Sequence, residues 1–192
     1  SLGIIVDGGV GFGDAVHLTR AICEFEAAGA CAVEFEDQVA PKRVSHHRGI
    51  EHLVDVAVMA AKIEHAVAAR RDPSFLIIAR SGAVKNESFP AAIARLRTYR
   101  SAGADVLMLM PENDDQYHQA REALDGPLAT ITSLDAKTRE QWLALGWNLI
   151  IDPFTAQVVA FAAIRSAYQQ FQANGCTGTD TKSIFQTYRQ LA

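Results

Sequence analysis

The chain has 192 residues, 49% of them apolar and 21% charged, with a formal net charge of −4. That length suits one domain with a sizeable core, and the mild acidity excludes a basic field for nucleic acid or an anionic membrane. No apolar run approaches the roughly 18 residues a membrane-spanning helix needs, and no signal peptide is visible.

The chain opens on Ser-Leu-Gly-Ile-Ile-Val, a strand already under way and without Met, as expected of a piece of a longer protein. An apolar run over 4–7 ends in Asp7 and a glycine-rich turn, Gly8-Gly9-Val10-Gly11-Phe12-Gly13, before a helical pattern over 14–28. Such a turn brings an anion close to backbone N–H groups at a helix start, and a strand-end carboxylate beside it suits a hard cation such as Mg²⁺. It is neither a dinucleotide fingerprint, which needs a third Gly in register, nor a P-loop, which needs Gly-Lys-Ser/Thr. A plain tight turn and a ligand loop both remain open on these residues.

The next strand, over 32–36, turns abruptly into a cluster of carboxylates, cations and imidazoles: Glu36-Asp37-Gln38-Val39-Ala40-Pro41-Lys42-Arg43-Val44-Ser45-His46-His47. Parallel α/β proteins build active sites where strands deliver such groups at their C-terminal ends. Glu36 and Asp37 suit ligands or water-mediated support for a cation; ion pairs with Lys42 or Arg43 are the structural alternative. Lys42, Arg43, His46 and His47 are the types that clamp a carboxylate or transfer a proton.

Downstream, strands are expected over 75–80, 106–110, 128–132 and 149–152, alternating with helices over 52–70, 89–102, 114–124, 136–145 and 155–173. His52 and His65 on the second helix, with His17 and His118, read as surface or packing residues. Cys23, on a helix face, and Cys31, at a strand entry, read as buried thiols suited to a reducing cytosol; with Cys176 they form no metal pattern. Gly29, Gly103 and Gly146 each punctuate a helix just before a strand. The 155–173 helix carries a wide apolar surface, ordinarily core packing. A flexible link over 174–180 leads to a last helix near 181–190, so the expected division is a barrel domain over 1–173 and a terminal segment over 174–192.

Mainly apolar strands without strict alternation imply a parallel sheet covered on both faces. Six β/α units are two short of a closed eight-stranded barrel, and an open doubly wound sheet accommodates the same count. Asp7, Glu36-Asp37, Arg80 and Asp152-Pro153 all fall at C-terminal strand ends, which suits a barrel mouth better than a single crevice.

Four motifs carry a resemblance. Asp-Gly-Gly-Val-Gly-Phe-Gly from Asp7 resembles the Asp-x-Asp-Thr-Gly-Tyr/Phe-Gly loop of the isocitrate lyase/phosphoenolpyruvate mutase superfamily. Glu36-Asp37-Gln38 with Pro41 to His46 resembles its Glu-Asp-Gln…Pro-Lys-Arg-Cys-Gly-His signature. Ile77-Ile78-Ala79-Arg80-Ser81-Gly82 resembles Ile-Ile-Ala-Arg-Thr-Asp, and Tyr99 to Asp105 is similar to Ala-Tyr-x-x-Ala-Gly-Ala-Asp. The resemblance covers about residues 3–173. It implies a modified (β/α)8 TIM-type barrel that begins here near the third strand, lacks its first two β/α units, and ends in a helix exchanged between subunits of a dimer or tetramer.

It also implies a Mg²⁺-dependent (or Mn²⁺-dependent) carbon–carbon lyase or decarboxylase acting on a small 2-oxo or 2-hydroxy di- or tricarboxylic acid through an enolate-like intermediate. Asp7 and Glu36 then belong to the metal site, Arg80, Gly11 and Arg43 to the substrate, and His46 or Lys42 to proton transfer. Four positions depart from the pattern: Gly9 for a metal-site Asp, Val44 for the lyase cysteine, Gly82 for Asp, and Met110 for a strand-end Glu. A catalytically impaired metabolite-binding relative is the alternative those departures leave.

Overall fold

The structure, a computed structural model, describes residues 2–42 and 51–191. Strands β1 (Ile5–Asp7), β2 (Ala32–Glu36), β3 (Leu76–Arg80), β4 (Val106–Met108), β5 (Leu128–Ile131) and β6 (Leu149–Ile151) form one parallel sheet in chain order. Doubly wound sheets reverse strand order at a switch point, whereas sequential winding is that of a β/α barrel. The six strands are therefore an open barrel segment, with β1 and β6 as its edges.

Strand alternation gives this segment two faces. On the outer face, Val33 and Phe35 of β2, Ile77 and Ala79 of β3 and Leu107 of β4 pack against helices α1 (Ala15–Ala27), α2 (Val56–Ala69) and α4 (Phe89–Ser101). Leu18, Ile22, Met59, Ile63, Leu96 and Tyr99 supply the helix side of that core. Each large apolar side chain buried there contributes roughly 1.5–3 kcal/mol before entropy is counted. The inner face carries a smaller cluster, Ala32, Ile78, Val106, Met108 and Ala129, and above it the polar residues of the site.

Local signals explain the helix ends. The Asp14 carboxylate accepts the Val16 and His17 N–H groups at 3.1 and 3.2 Å and so starts α1. Asn113 accepts the Gln116 N–H at 3.0 Å and so caps α5 (Asp114–Ala123), Thr138 and Gln141 form a capping box on α6 (Arg139–Leu145), and Gly146, at φ 72°, closes α6 in the left-handed conformation.

Three expectations shift. The helix foreseen over 52–70 begins at Val56, because the preceding segment pairs antiparallel with the chain after β2. Gln38 bridges Leu53, the Val39 N–H reaches the His52 carbonyl at 2.7 Å, and the Val54 N–H reaches the Asp37 carbonyl at 2.8 Å. His52 thus precedes the helix. A one-turn helix, α3 (Ala83–Asn86), was too short to leave a periodic signature. Cys31 is exposed rather than buried, standing against Gly3 at the N-terminal end of the inner face, while Cys23 is half-buried with its thiol toward the Ala69 carbonyl at 3.6 Å. A first compact unit ends at Ile151.

The second unit, from Asp152 onward, holds α7 (Thr155–Asn174) and α8 (Thr181–Leu191). Asp152, read above as a rim residue, accepts the Phe154 and Thr155 N–H groups at 2.9 and 2.8 Å and so starts α7. The apolar surface of α7 is not core: Phe161, Ile164, Tyr168 and Phe171 are all more than half exposed. Among the described residues no helix is long and apolar enough to cross a membrane.

Candidate active site at the C-terminal rim of the sheet

The site is built on the last residues of β1, β2 and β3. Register pairs Asp7 with Glu34, and Glu36 with Arg80, so paired side chains emerge on the same face. Ala32, two and four residues before Glu34 and Glu36, belongs to the inner cluster, which places both carboxylates on the inner face as well.

The turn after β1 is locked by its backbone. The Gly8 N–H donates to the Glu34 carbonyl at 2.7 Å, and the Gly9 carbonyl accepts the Glu36 N–H at 2.8 Å. A Cβ on Gly8 would stand 2.9 Å from the Glu34 carbonyl oxygen, so only glycine allows this approach. Asp7 Oδ1 accepts the Gly9 N–H at 2.8 Å, leaving the exposed carboxylate oriented at the rim.

Around β2 and β3 the charges alternate. Arg80 Nη2 lies 3.2 Å from Glu36 Oε2, and Nη1 lies 3.8 Å from Glu34 Oε1. Lys42 forms an ion pair with the other Glu36 oxygen. Both glutamates are buried; among the described residues Glu34 Oε1 and Arg80 Nε have no hydrogen-bond partner, and the Glu36 oxygens meet the Arg80 and Lys42 cations. Burial pushes the Glu34 carboxyl up to about 8; Arg80 opposes that rise, and Asp7 and Glu36 add to it.

Asp37 is elsewhere. One residue beyond Glu36, it points to the outer face, where Ser81 Oγ donates to it at 2.7 Å, the Tyr99 hydroxyl at 2.9 Å and the Gly82 N–H at 3.1 Å. Arg95 stands 3.5 Å from it, itself paired with Glu87. Burial raises the Asp37 carboxyl, and these donors hold the rise down. Its expected place beside Glu36 as cation support, or as an ion-pair partner of Lys42, is therefore corrected: Asp37 ties β2 to β3 and α4.

Of the expected site residues, Asp7, Glu36, Arg80 and Lys42 share the rim. Gly11 does not join them. Its N–H is taken by the Gly8 carbonyl at 3.0 Å, and its Cα faces Leu18, Phe35 and Lys62 on the helix side. Arg43, Val44, His46 and His47 lie outside the described residues. Glu34 was missed, although its spacing of two from Glu36 on one strand is the signal that puts both on one face.

The donor set suits a hard cation. Asp7, exposed at the rim, and the buried Glu34 and Glu36 offer oxygen donors of the kind Mg²⁺ or Mn²⁺ takes. Among the described residues no three His, Cys, Asp or Glu side chains converge as a complete metal cage.

A sequentially wound β/α sheet with carboxylates and an arginine at its C-terminal rim places these groups where β/α-barrel enzymes carry their active sites. The phosphoenolpyruvate phosphomutase family model matches residues 1–172, and the chain belongs to that family, within the isocitrate lyase/phosphoenolpyruvate mutase superfamily. A probable 2-methylisocitrate lyase from Corynebacterium glutamicum is 37% identical over 185 residues, covering 91% of this chain and 59% of the relative. The chain thus spans rather more than half of that relative's length. Oxaloacetate acetylhydrolase in complex with 3,3-difluorooxalacetate superposes with a TM-score of 0.84 at 29% identity, over 94% of this chain and 63% of that one. Phosphonopyruvate hydrolase in complex with oxalate and Mg²⁺ gives 0.83 at 27% identity, over 95% and 65%.

Proposed function

We propose that the intact protein is a divalent-metal-dependent carbon–carbon lyase or decarboxylase acting on a small 2-oxo or 2-hydroxy di- or tricarboxylic acid. One observation carries this reading: a guanidinium held between two buried glutamates, with Lys42 paired to one of them, at the rim where Asp7 also stands. Such a cluster is completed by a cation and an anionic ligand together.

Asp7 and Glu36 would hold the metal directly or through its waters, with Glu34 behind them. When bound, Mg²⁺ or Mn²⁺ supplies Lewis-acid polarisation of the substrate's 2-oxygen. Arg80 holds a substrate carboxylate through its paired N–H groups. As the carbon–carbon bond breaks, its electrons become those of an enolate on the substrate, and Lys42 returns a proton to carbon. His46 is the second donor candidate, and Arg43 the second substrate cation. Loss of CO₂ from an oxaloacetate-like acid asks least of the protein, because the departing group needs no general base. This suits a loop with Val44 in place of a thiol.

Binding without turnover is the second reading, favoured by Gly9, which offers no ligand beside Asp7. We further read the protein as a cytoplasmic homo-oligomer, a dimer or tetramer, in which the terminal segment over 174–192 is exchanged between subunits; the exposed apolar residues of α7 and α8 support that.

The test is turnover by the full-length protein. Oxaloacetate, 2-methylisocitrate and 2,3-dimethylmalate are offered with Mg²⁺, and pyruvate or CO₂ release is followed with and without EDTA. Metal-dependent release from one of them is expected. Tight binding of these acids without release selects the second reading.

A further inference from the structure

The glycine-rich turn after β1 keeps a backbone conformation that needs outside support. Gly9, Gly11, Phe12 and Gly13 all lie at positive φ, and Phe12, at 60°, is a side-chain-bearing residue in a region such residues rarely adopt. Within the turn the Gly11 N–H donates to the Gly8 carbonyl, and toward β2 the Gly8 N–H and the Gly9 carbonyl are taken by Glu34 and Glu36. The Val10 carbonyl has a different partner: the Lys62 ammonium donates to it at 2.8 Å from α2.

Lys62 is half-buried on α2, next to the core residue Ile63. Its stem runs beside Gly11, where a Cβ would stand 3.8 Å from Lys62 Cδ. The apolar stem thus lies along apolar surface while the head reaches a single carbonyl. Burial pushes the pKa of the ammonium down, and among the described residues no carboxylate pairs with it to offset that. A cation drawn partly out of water without a counter-charge is unfavourable for packing alone. Among the described residues it is also the one side chain from another element that hydrogen-bonds the backbone of 8–13.

The turn matters because it aims Asp7. The Gly9 N–H donates to Asp7 Oδ1 at 2.8 Å, and the Gly9 carbonyl accepts the Glu36 N–H at 2.8 Å. Val10 follows Gly9 directly, so a shift of Val10 passes through one peptide unit to both carboxylate-bearing residues.

We propose that Lys62 is a positioning residue of the rim: by holding the Val10 carbonyl from α2, it fixes the turn that aims Asp7, and so sets cation affinity there without touching the cation. This rests on the metal-site reading above. The sign of the effect separates two roles. A lysine acting only through its charge repels a cation, so its loss would tighten binding; a lysine acting through the turn weakens binding when lost.

The experiment has two arms on the full-length protein. In EDTA-treated samples, hydrogen exchange at the Gly8, Gly11 and Glu36 amides is compared among the parent, Lys62→Met and Lys62→Arg. The first variant keeps an unbranched stem without the donor; the second restores a charged donor. Exchange in Lys62→Met is expected to be about tenfold faster, the scale of one charged hydrogen bond, with Lys62→Arg near the parent. Calorimetric titration with Mg²⁺ should then give a Kd about tenfold weaker in Lys62→Met, and restored in Lys62→Arg, as for residues that orient a metal ligand indirectly. Thermal melts establish that each variant is folded; Lys62→Gln, polar but one bond shorter, replaces Lys62→Met if that variant does not fold. Unchanged exchange, or a Kd that tightens or stays within twofold, overturns the role of Lys62 alone. A parent that binds no Mg²⁺ overturns the metal reading and the inference with it, whatever the exchange arm shows.

Discussion

Glu36 and Asp37 are consecutive residues, both buried, at the end of the same strand, and they live in opposite chemical worlds. Asp37, on the outer face, receives donors from Ser81, Gly82 and Tyr99, with Arg95 nearby. Glu36, on the inner face beside Glu34, meets cations but no aligned hydrogen-bond donor. Folded proteins ordinarily satisfy buried polar groups, because an unsatisfied one costs about 1–3 kcal/mol. The satisfied carboxylate is a structural fastener. The glutamate pair, met by cations alone, is the arrangement we propose as a binding site.

That contrast breaks most sharply at Arg80. Arg80→Ala removes the cation shared by Glu34 and Glu36 together with the anchor for a substrate carboxylate. A drop in kcat/KM of about a thousandfold, or about 4 kcal/mol, is expected on whichever acid the protein turns over. A folded variant that loses less than tenfold would remove Arg80 from the substrate's path.

On the outer face the expected signature is the reverse. Asp37→Ala leaves the Ser81 and Tyr99 hydroxyls, the Gly82 N–H and Arg95 without their common acceptor. Stability should fall by about 3 kcal/mol, a drop in Tm of about 6–12 °C for a chain of this size. Ligand affinity measured below that Tm should stay within about threefold of the parent. A large affinity loss with unchanged Tm would exchange the roles assigned to the two faces.

Much of this was legible beforehand. The strand over 32–36 was placed to the residue, since an apolar run bounded by Gly29 and a burst of charge has one reading, and all six strands were found within two residues. The site was legible only by residue type. Treating Glu36-Asp37 as a unit ignored the period of two that sends neighbours to opposite faces, and the same rule, applied backward, would have found Glu34. Residues 52–54 were misread for a different reason. Leu53, Val56, Met59 and Ile63 have helical spacing, but the backbone of His52 and Val54 is committed to Val39 and Asp37, a long-range pairing that no local pattern announces.

The inner face should also reveal itself through pH. The Glu34 carboxyl, raised by burial to about 8, keeps its proton in the folded protein while the unfolded chain loses it near the ordinary value of about 4.3. The folded state thus holds more protons, and stability is lost as pH rises from roughly 4.5 toward 8. Glu34→Gln does not titrate. In EDTA-treated protein the variant and parent should melt alike near pH 4.5. At pH 8.5 the variant should be the more stable, by about 2 kcal/mol after allowing for solvent relaxation around the buried group. A constant difference across that range would mean that Glu34 stays ionised throughout.

The smallest effect is expected at Gly9, the position that departs from the Asp of the loop this turn resembles. Among the described residues nothing stands within 4 Å of a Cβ built there, so an aspartate has room. The backbone is the obstacle: at φ 56°, a side chain costs about 1 kcal/mol, and Asp and Asn tolerate that conformation best. Gly9→Asn carries the same strain without the charge and is the proper reference. If a cation binds beside Asp7, Gly9→Asp should raise Mg²⁺ affinity about tenfold over Gly9→Asn, because ligand charge and oxygen number set hard-ion binding. Both variants should melt a few degrees below the parent, which separates the backbone cost from the gain in ligation. Calorimetry on the full-length protein that finds no Mg²⁺ binding in the parent or in Gly9→Asp would remove the metal from this rim, leaving Arg80 and Lys42 to hold an anion between the glutamates without turnover.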